Sequence, residues 1–173
     1  MGDLGRLLTA MVTPYREDGE VDPAGARKLA RLLVENGNDG VVVTGTTGEA
    51  PLLSDEEKYA LWAEVKQELG EATVVAGAGT NDTRHSIHLA RLAERAGADA
   101  ILAVVPYYLK PSQEGIFQHF RAIAESTSLP VILYNVPGRV GTGMTVETIL
   151  RCAELRNVVG NKEANGDLRH TAA

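Results

Sequence analysis

Short apolar, β-branched runs alternate along the whole chain with longer segments in which apolar side chains recur every three to four positions. The short runs predict strands near residues 7–13, 39–45, 73–79, 100–106, 131–136 and 158–164, and the longer ones predict helices near 24–35, 55–69, 83–96, 113–125 and 146–152. Helix starts are marked by Asp22 before Pro23 and by Ser54 three residues before Glu57, an N-cap with proline at the first helical position and a capping box. Helix ends are marked by Gly37, Gly70 and Gly97, placed where the chain must adopt positive φ. Runs such as Val41-Val42-Val43 and Ile101-Leu102-Ala103-Val104-Val105 are apolar on both faces, as parallel strands covered by helices require. Successive right-handed βα units close into a (β/α)8 barrel or stay open as a doubly wound sheet, and periodicity does not choose between the two.

Composition narrows the function. Seventeen basic against 23 acidic side chains give a formal charge of -6, which disfavours nucleic acid or an anionic membrane as the main partner and leaves small molecules. No stretch reaches the roughly 20 apolar residues that span a bilayer, and residues 1–13 lack the apolar run and cleavage site of an export signal. A single cysteine, Cys152, builds neither an internal disulfide nor a thiolate metal cluster and reads as a small apolar helix residue, so a cytoplasmic location is expected.

Four motifs lie at or near the C-terminal ends of the predicted strands, the side on which α/β folds place their active sites. Gly45-Thr46-Thr47-Gly48-Glu49 follows the second strand; it reads either as an anion cradle of backbone amides and hydroxyls or as a glycine-rich turn whose threonines satisfy their own backbone. Pro106-Tyr107-Tyr108 ends the fourth strand, its phenols serving as relays or lids, or packing as apolar rings with the hydroxyl in water. In Tyr134-Asn135-Val136-Pro137-Gly138-Arg139 the Pro-Gly pair turns the chain and Arg139 follows on a loop, suited to grip a carboxylate bidentately or simply solvated. The fourth, Val158-Val159-Gly160-Asn161-Lys162-Glu163, puts a lysine within a strand; its amine snorkels, pairs with Glu163 or another acid, or has a lowered pKa and reacts as a neutral nucleophile that forms Schiff bases. Two further patterns are weaker. Asp82, His85 and His88 have helical metal-ligand spacing but no further ligands nearby, and Gly77-Ala78-Gly79 lacks the third glycine of a dinucleotide fingerprint because Asp82 stands in its place.

Together with Thr9-Ala10-Met11-Val12-Thr13-Pro14, the four motifs, in this order and spacing, resemble the dihydrodipicolinate synthase family of pyruvate-dependent Schiff-base aldolases, and the resemblance covers essentially the whole chain. The double threonine and the arginine after Val-Pro-Gly resemble the synthases rather than the related sialic acid lyases. The resemblance implies a TIM (β/α)8 barrel and condensation of pyruvate with L-aspartate 4-semialdehyde, a step of lysine (diaminopimelate) biosynthesis. It implies that Lys162 forms the imine, that Thr46 and Thr47 with Gly48 hold the pyruvate carboxylate, that Thr47, Tyr134 and Tyr108 relay protons, and that Arg139 orients the second substrate. Neither metal nor organic cofactor is implied, since the imine on Lys162 is the electron sink. A homo-oligomer is implied, a dimer or tetramer in which the Tyr108 equivalent enters a neighbour's site.

Alternatives are another pyruvate aldolase of the group, cleaving a 2-keto-3-deoxy sugar acid or sialic acid, and a non-catalytic, truncated barrel. Three departures from the family pattern stand out. A (β/α)8 barrel takes about 250 residues, so a single partial domain with only the first six βα units is expected over residues 1–173. Asn161 replaces an apolar residue before the lysine and is placed to perturb its amine. Arg169-His170-Thr171-Ala172-Ala173 is expected to break the helix pattern. At the positions where lysine-sensitive members bind their effector the chain has Asp55, Lys58 and His85, which predicts weak feedback by lysine.

Overall fold

The computed structural model describes residues 4–172; the first three residues of the N-terminal stretch and Ala173 of the C-terminal one lie outside them. In chain order the elements are β1 (Leu8–Ala10), α1 (Pro23–Glu35), β2 (Gly40–Val43), a 3-10 turn (Ala50–Leu52), α2 (Asp55–Leu69), β3 (Thr73–Gly77), α3 (Thr83–Arg95), β4 (Ala100–Val104), α4 (Gln113–Ala124), β5 (Val131–Asn135), α5 (Pro137–Val140), α6 (Val146–Ala153), β6 (Val158–Glu163) and α7 (Leu168–Ala172). The strands neighbour one another in sequence order, β1 through β6, and the β1–β2, β2–β3 and β5–β6 ladders are parallel. Sequential order means that every crossover steps the same way, the winding of a barrel; a doubly wound sheet reverses direction at a switch point.

The residues cluster into two compact units, one comprising the chain up to residue 78 with 92–101, the other 79–91 with 102 onward. In the first, β2 and β3 are buried throughout, as their apolar runs require, and Leu61, Trp62 and Val65 of α2 are fully buried. Each such side chain contributes about 1.5–3 kcal/mol relative to exposure. The Ser54–Glu57 capping box forms in both directions, whereas the Asp22 side chain caps nothing and α1 starts on Pro23 alone. Ion pairs Arg27–Glu64 and Arg31–Glu68 join α1 to α2, and Lys66 Nζ meets Asp99 at 2.8 Å. Gly37, Gly70 and Gly97 take φ of 98°, 58° and 81°, as their placement predicts. Gly77 has a different reason: a Cβ there would stand 2.2 Å from the Thr44 carbonyl oxygen, so it serves close strand approach.

In the second unit the core holds Leu102, Val105, Ile116, Phe120, Ile123, Val131 and Leu133. Asn157, buried, donates from one amide to the carbonyls of Ala124, Thr127 and Leu129 at 3.0–3.2 Å, closing the α4–β5 connection. Two local expectations are corrected. Residues 137–140 form a helical turn, with Pro137 at its start and Gly141 at φ 81° donating to the Pro137 carbonyl, so Arg139 sits on a helix rather than a loop. The chain after Asp167 continues as α7, because the Asp167 carboxylate accepts the Arg169 N–H at 2.9 Å and caps the first turn.

Candidate active site

The loop after β2 is held by hydrogen bonds that its sequence does not advertise. Thr44, 1% exposed and at φ 55°, uses one hydroxyl to accept the Trp62 indole N–H at 2.8 Å and to donate to the Gly77 carbonyl at 3.3 Å. Thr13 Oγ1 donates to the Gly48 carbonyl at 2.7 Å. Within the turn the amides of Gly48 and Glu49 donate to the carbonyls of Gly45 and Thr46. Gly48 is thus an internal strut, while Thr46 and Thr47 stand exposed at the crest.

Lys162 and Tyr134 are brought together in the second unit by a register shift. Val131 pairs with Val158 but Ile132 pairs with Gly160, so β6 bulges by one residue at Val159 and Lys162 falls opposite Tyr134. Without the bulge, the alternation of strand side chains would set Lys162 opposite Asn135, on the other face. Lys162 Nζ lies 4.2 Å from the centre of the Tyr134 ring, which is 6% exposed. Lys162 as a residue is exposed, but desolvation of its amine disfavours the charged form and holds its pKa below the ordinary lysine value.

On the opposite face, Glu163 accepts both contacts of Asn135 Nδ2 at 2.9 and 3.0 Å, the Asn161 amide at 3.1 Å and the Asn165 N–H at 3.0 Å. Of the three expectations for the strand lysine, pairing with Glu163 is therefore not met, because Glu163 is engaged on the opposite face; the Lys162 side chain is exposed, as snorkelling requires, and its pKa is lowered. Asn161 is turned to Glu163 as well, not to the amine, and its buried Oδ1 has no partner among the described residues. A cavity of about 220 Å³ lined by Val146, Ile149, Leu150, Asn161, Glu163 and His170 adjoins it.

Tyr108 is 85% exposed at φ 72° and donates its N–H to the Val140 carbonyl at 3.1 Å; Arg139 is exposed on α5. All four non-glycine residues with positive φ among those described, Thr44, Glu49, Tyr108 and Lys110, lie on the two loops that carry Thr46, Thr47 and Tyr108. Strain of this kind clusters at functional loops. Lys58 is buried, donating to the Leu53 carbonyl at 2.8 Å with Asp55 at 3.7 Å, so its charge turns inward. The Asp82 carboxylate caps α3 through the amides of Arg84 and His85. Among the described residues no three His, Cys, Asp or Glu groups stand together as metal ligands, and no helix is long and apolar enough to cross a membrane.

Comparison with known proteins shows a match to the dihydrodipicolinate synthetase family over residues 3–173. The 4-hydroxy-tetrahydrodipicolinate synthase of Moorella thermoacetica is 56% identical over 98% of this chain, which spans 58% of that relative's length. The crystal structure of dihydrodipicolinate synthase from Bacillus anthracis superposes with a TM-score of 0.96 at 49% identity, covering 99% of this chain and 59% of that one. A chloride-inhibited dihydrodipicolinate synthase of Acinetobacter baumannii, complexed with pyruvate, superposes at 0.92 with 45% identity over 95% of this chain and 57% of the other. The fold is accordingly that of about the first six βα units of a TIM barrel.

Proposed function

Since the chain belongs to the dihydrodipicolinate synthetase family, we propose that it condenses pyruvate with L-aspartate 4-semialdehyde through an imine on Lys162, giving 4-hydroxy-tetrahydrodipicolinate for lysine (diaminopimelate) biosynthesis. The observation that carries the proposal is the Lys162 amine of β6, seated over the Tyr134 ring; desolvation, which lowers its pKa, agrees with it. A neutral amine is the form that attacks a carbonyl. The related Acinetobacter baumannii enzyme is complexed with pyruvate.

The neutral Lys162 amine adds to the keto carbon of pyruvate and water leaves, forming the imine. Loss of a methyl proton gives an enamine, whose carbon attacks the aldehyde of the second substrate. The amino group of that substrate then adds to the imine carbon and displaces Lys162, so no metal or organic cofactor enters. Thr46 and Thr47, with their exposed hydroxyls, hold the pyruvate carboxylate; Gly48 keeps the turn compact beneath them. Thr47, Tyr134 and Tyr108 move the protons, and Arg139 takes the carboxylate of the semialdehyde. Tyr108 and the neighbouring Leu109, exposed on a strained loop, support a homo-oligomer in which this loop enters a second copy. The buried, unpaired Cys152, its thiol pushed up to about 11 by burial, supports a reducing, cytoplasmic setting.

The test is product formation from the two substrates, followed by NMR, in the chain and in Lys162→Ala and Arg139→Ala. The proposal expects product from the chain, none from Lys162→Ala, and for Arg139→Ala a raised KM for the semialdehyde with that for pyruvate unchanged. A folded chain that forms the pyruvate imine but cleaves a 2-keto-3-deoxy sugar acid instead would overturn the substrate assignment.

A further inference from the structure

The bulge that brings Lys162 to Tyr134 leaves β6 with two registers against β5, and sheet hydrogen bonding alone discriminates weakly between them. The side chains do discriminate. Asn135 is 1% exposed and the Glu163 side chain 8%, so each must find partners where it lies. In the bulged register they face each other, and the Asn135 amide is fully engaged: Nδ2 donates to both Glu163 oxygens while Oδ1 accepts the Met144 N–H at 3.0 Å. Ala164 N–H, donating to the Asn135 carbonyl at 2.8 Å, continues the same register on the backbone. In the unbulged register Asn135 would face Lys162, Tyr134 would face Asn161, and Glu163 would lose its buried partner.

We infer that Asn135 and Glu163 are a positioning pair, which locks the bulged β5–β6 register and so holds the Lys162 amine on the Tyr134 ring. Neither residue reaches the reacting atoms; they act through the backbone from the opposite face. The purpose of the held amine rests on the imine chemistry proposed above, but the holding itself does not. Among the described residues, the side chains that face Glu163 are Asn135 from β5, Asn161 from β6 and, from α7, His170, whose Nδ1 lies 3.5 Å from Oε2. Tyr134 faces Lys162 from β5.

Competitive labelling with acetic anhydride, mapped by peptide mass across pH, reads the titration of Lys162 without pyruvate. Glu163→Gln confronts Asn135, Asn161 and the Asn165 N–H with one acceptor where there were two, which releases the register. Lys162 labelling should then titrate higher, read as a fall of about threefold in labelling rate near neutral pH. Joining it to Asn135→Asp exchanges donor and acceptor across the pair and should restore the wild-type profile, which loss of general stability would not do. His170→Gln supplies the background in which imidazole titration is absent, and the same shift is expected there. Should Glu163→Gln fail to fold, Glu163→Asp withdraws the carboxylate by one methylene and takes its place. An unchanged Lys162 profile in a folded Glu163 variant would overturn the inference. If wild-type Lys162 labels with its lowered profile yet no imine is trapped with pyruvate, the proposed function falls and the positioning pair stands.

Discussion

Lys162 Nζ stands 4.2 Å from the centre of the Tyr134 ring, and a single extra residue in β6 puts it there. The ring shields one side of the amine from water and the phenol hydroxyl lies on the same side chain, so the proposed function gives Tyr134 two separable duties. Tyr134→Phe keeps the ring and removes the hydroxyl proposed to carry protons. Imine formation with pyruvate should slow by about a hundredfold, the low end for general acid–base catalysis, while acetic anhydride labels Lys162 with an unchanged pH profile. Loss of both together would mean that the hydroxyl positions the amine rather than moving protons.

His119 makes folding pH-dependent. It is 3% exposed, its Nδ1 shares a hydrogen bond with Thr83 Oγ1 at 2.9 Å, and its buried Nε2 has no partner among the described residues. Burial lowers its pKa to about 4. The unfolded chain protonates this imidazole near pH 6.5 and the folded chain only near 4. Its stability contribution is therefore complete above 6.5 and lost as pH falls through that window, about 3 kcal/mol in all. In urea unfolding, the stability difference between the chain and His119→Phe should change by that amount between pH 7 and pH 4; a constant difference would contradict the assignment.

Thr44 joins β2, β3 and α2 through one hydroxyl. Thr44→Val leaves the Trp62 N–H buried without an acceptor, at a cost of about 1–3 kcal/mol. Trp62 is the chain's single tryptophan, so its fluorescence reports the change directly. A lowered urea midpoint with emission moved to shorter wavelength is expected, and an unmoved midpoint would show that the bond adds no stability.

Much of this was legible beforehand because the strands are short apolar runs and the helix ends carry glycines whose conformation only a few residues tolerate. The candidate residues were legible because polar groups such as Lys162 sit where an apolar strand gives them no local reason. Thr44 was not, since a threonine at a strand end looks like any β-former until its positive φ and its indole partner are seen. The β6 bulge was equally hidden: Val158-Val159-Gly160 reads as an even strand, and only pairing against β5 shows the slipped residue. The turn at Pro137–Val140 closed into a helix because Gly141 supplies a left-handed end, a longer-range effect than the Pro-Gly pair suggests.

Asn161 is the residue least well served by its place. Its amide nitrogen has Glu163, but its oxygen is buried beside Val146, Ile149 and Leu150 without a partner among the described residues. Asn161→Val removes that oxygen and adds apolar contact, while Glu163 keeps Asn135 and the Asn165 N–H. A gain of about 1 kcal/mol in thermal or urea unfolding is expected; a loss would show that the Asn161–Glu163 bond outweighs the orphaned oxygen.

The proposed role of Lys162 as the imine-forming nucleophile is tested by borohydride trapping with pyruvate followed by peptide mass mapping. One reduced pyruvyl adduct is expected, on the peptide carrying Lys162 and absent from Lys162→Ala. A folded chain that yields no adduct, or carries it on another lysine, would rule that role out.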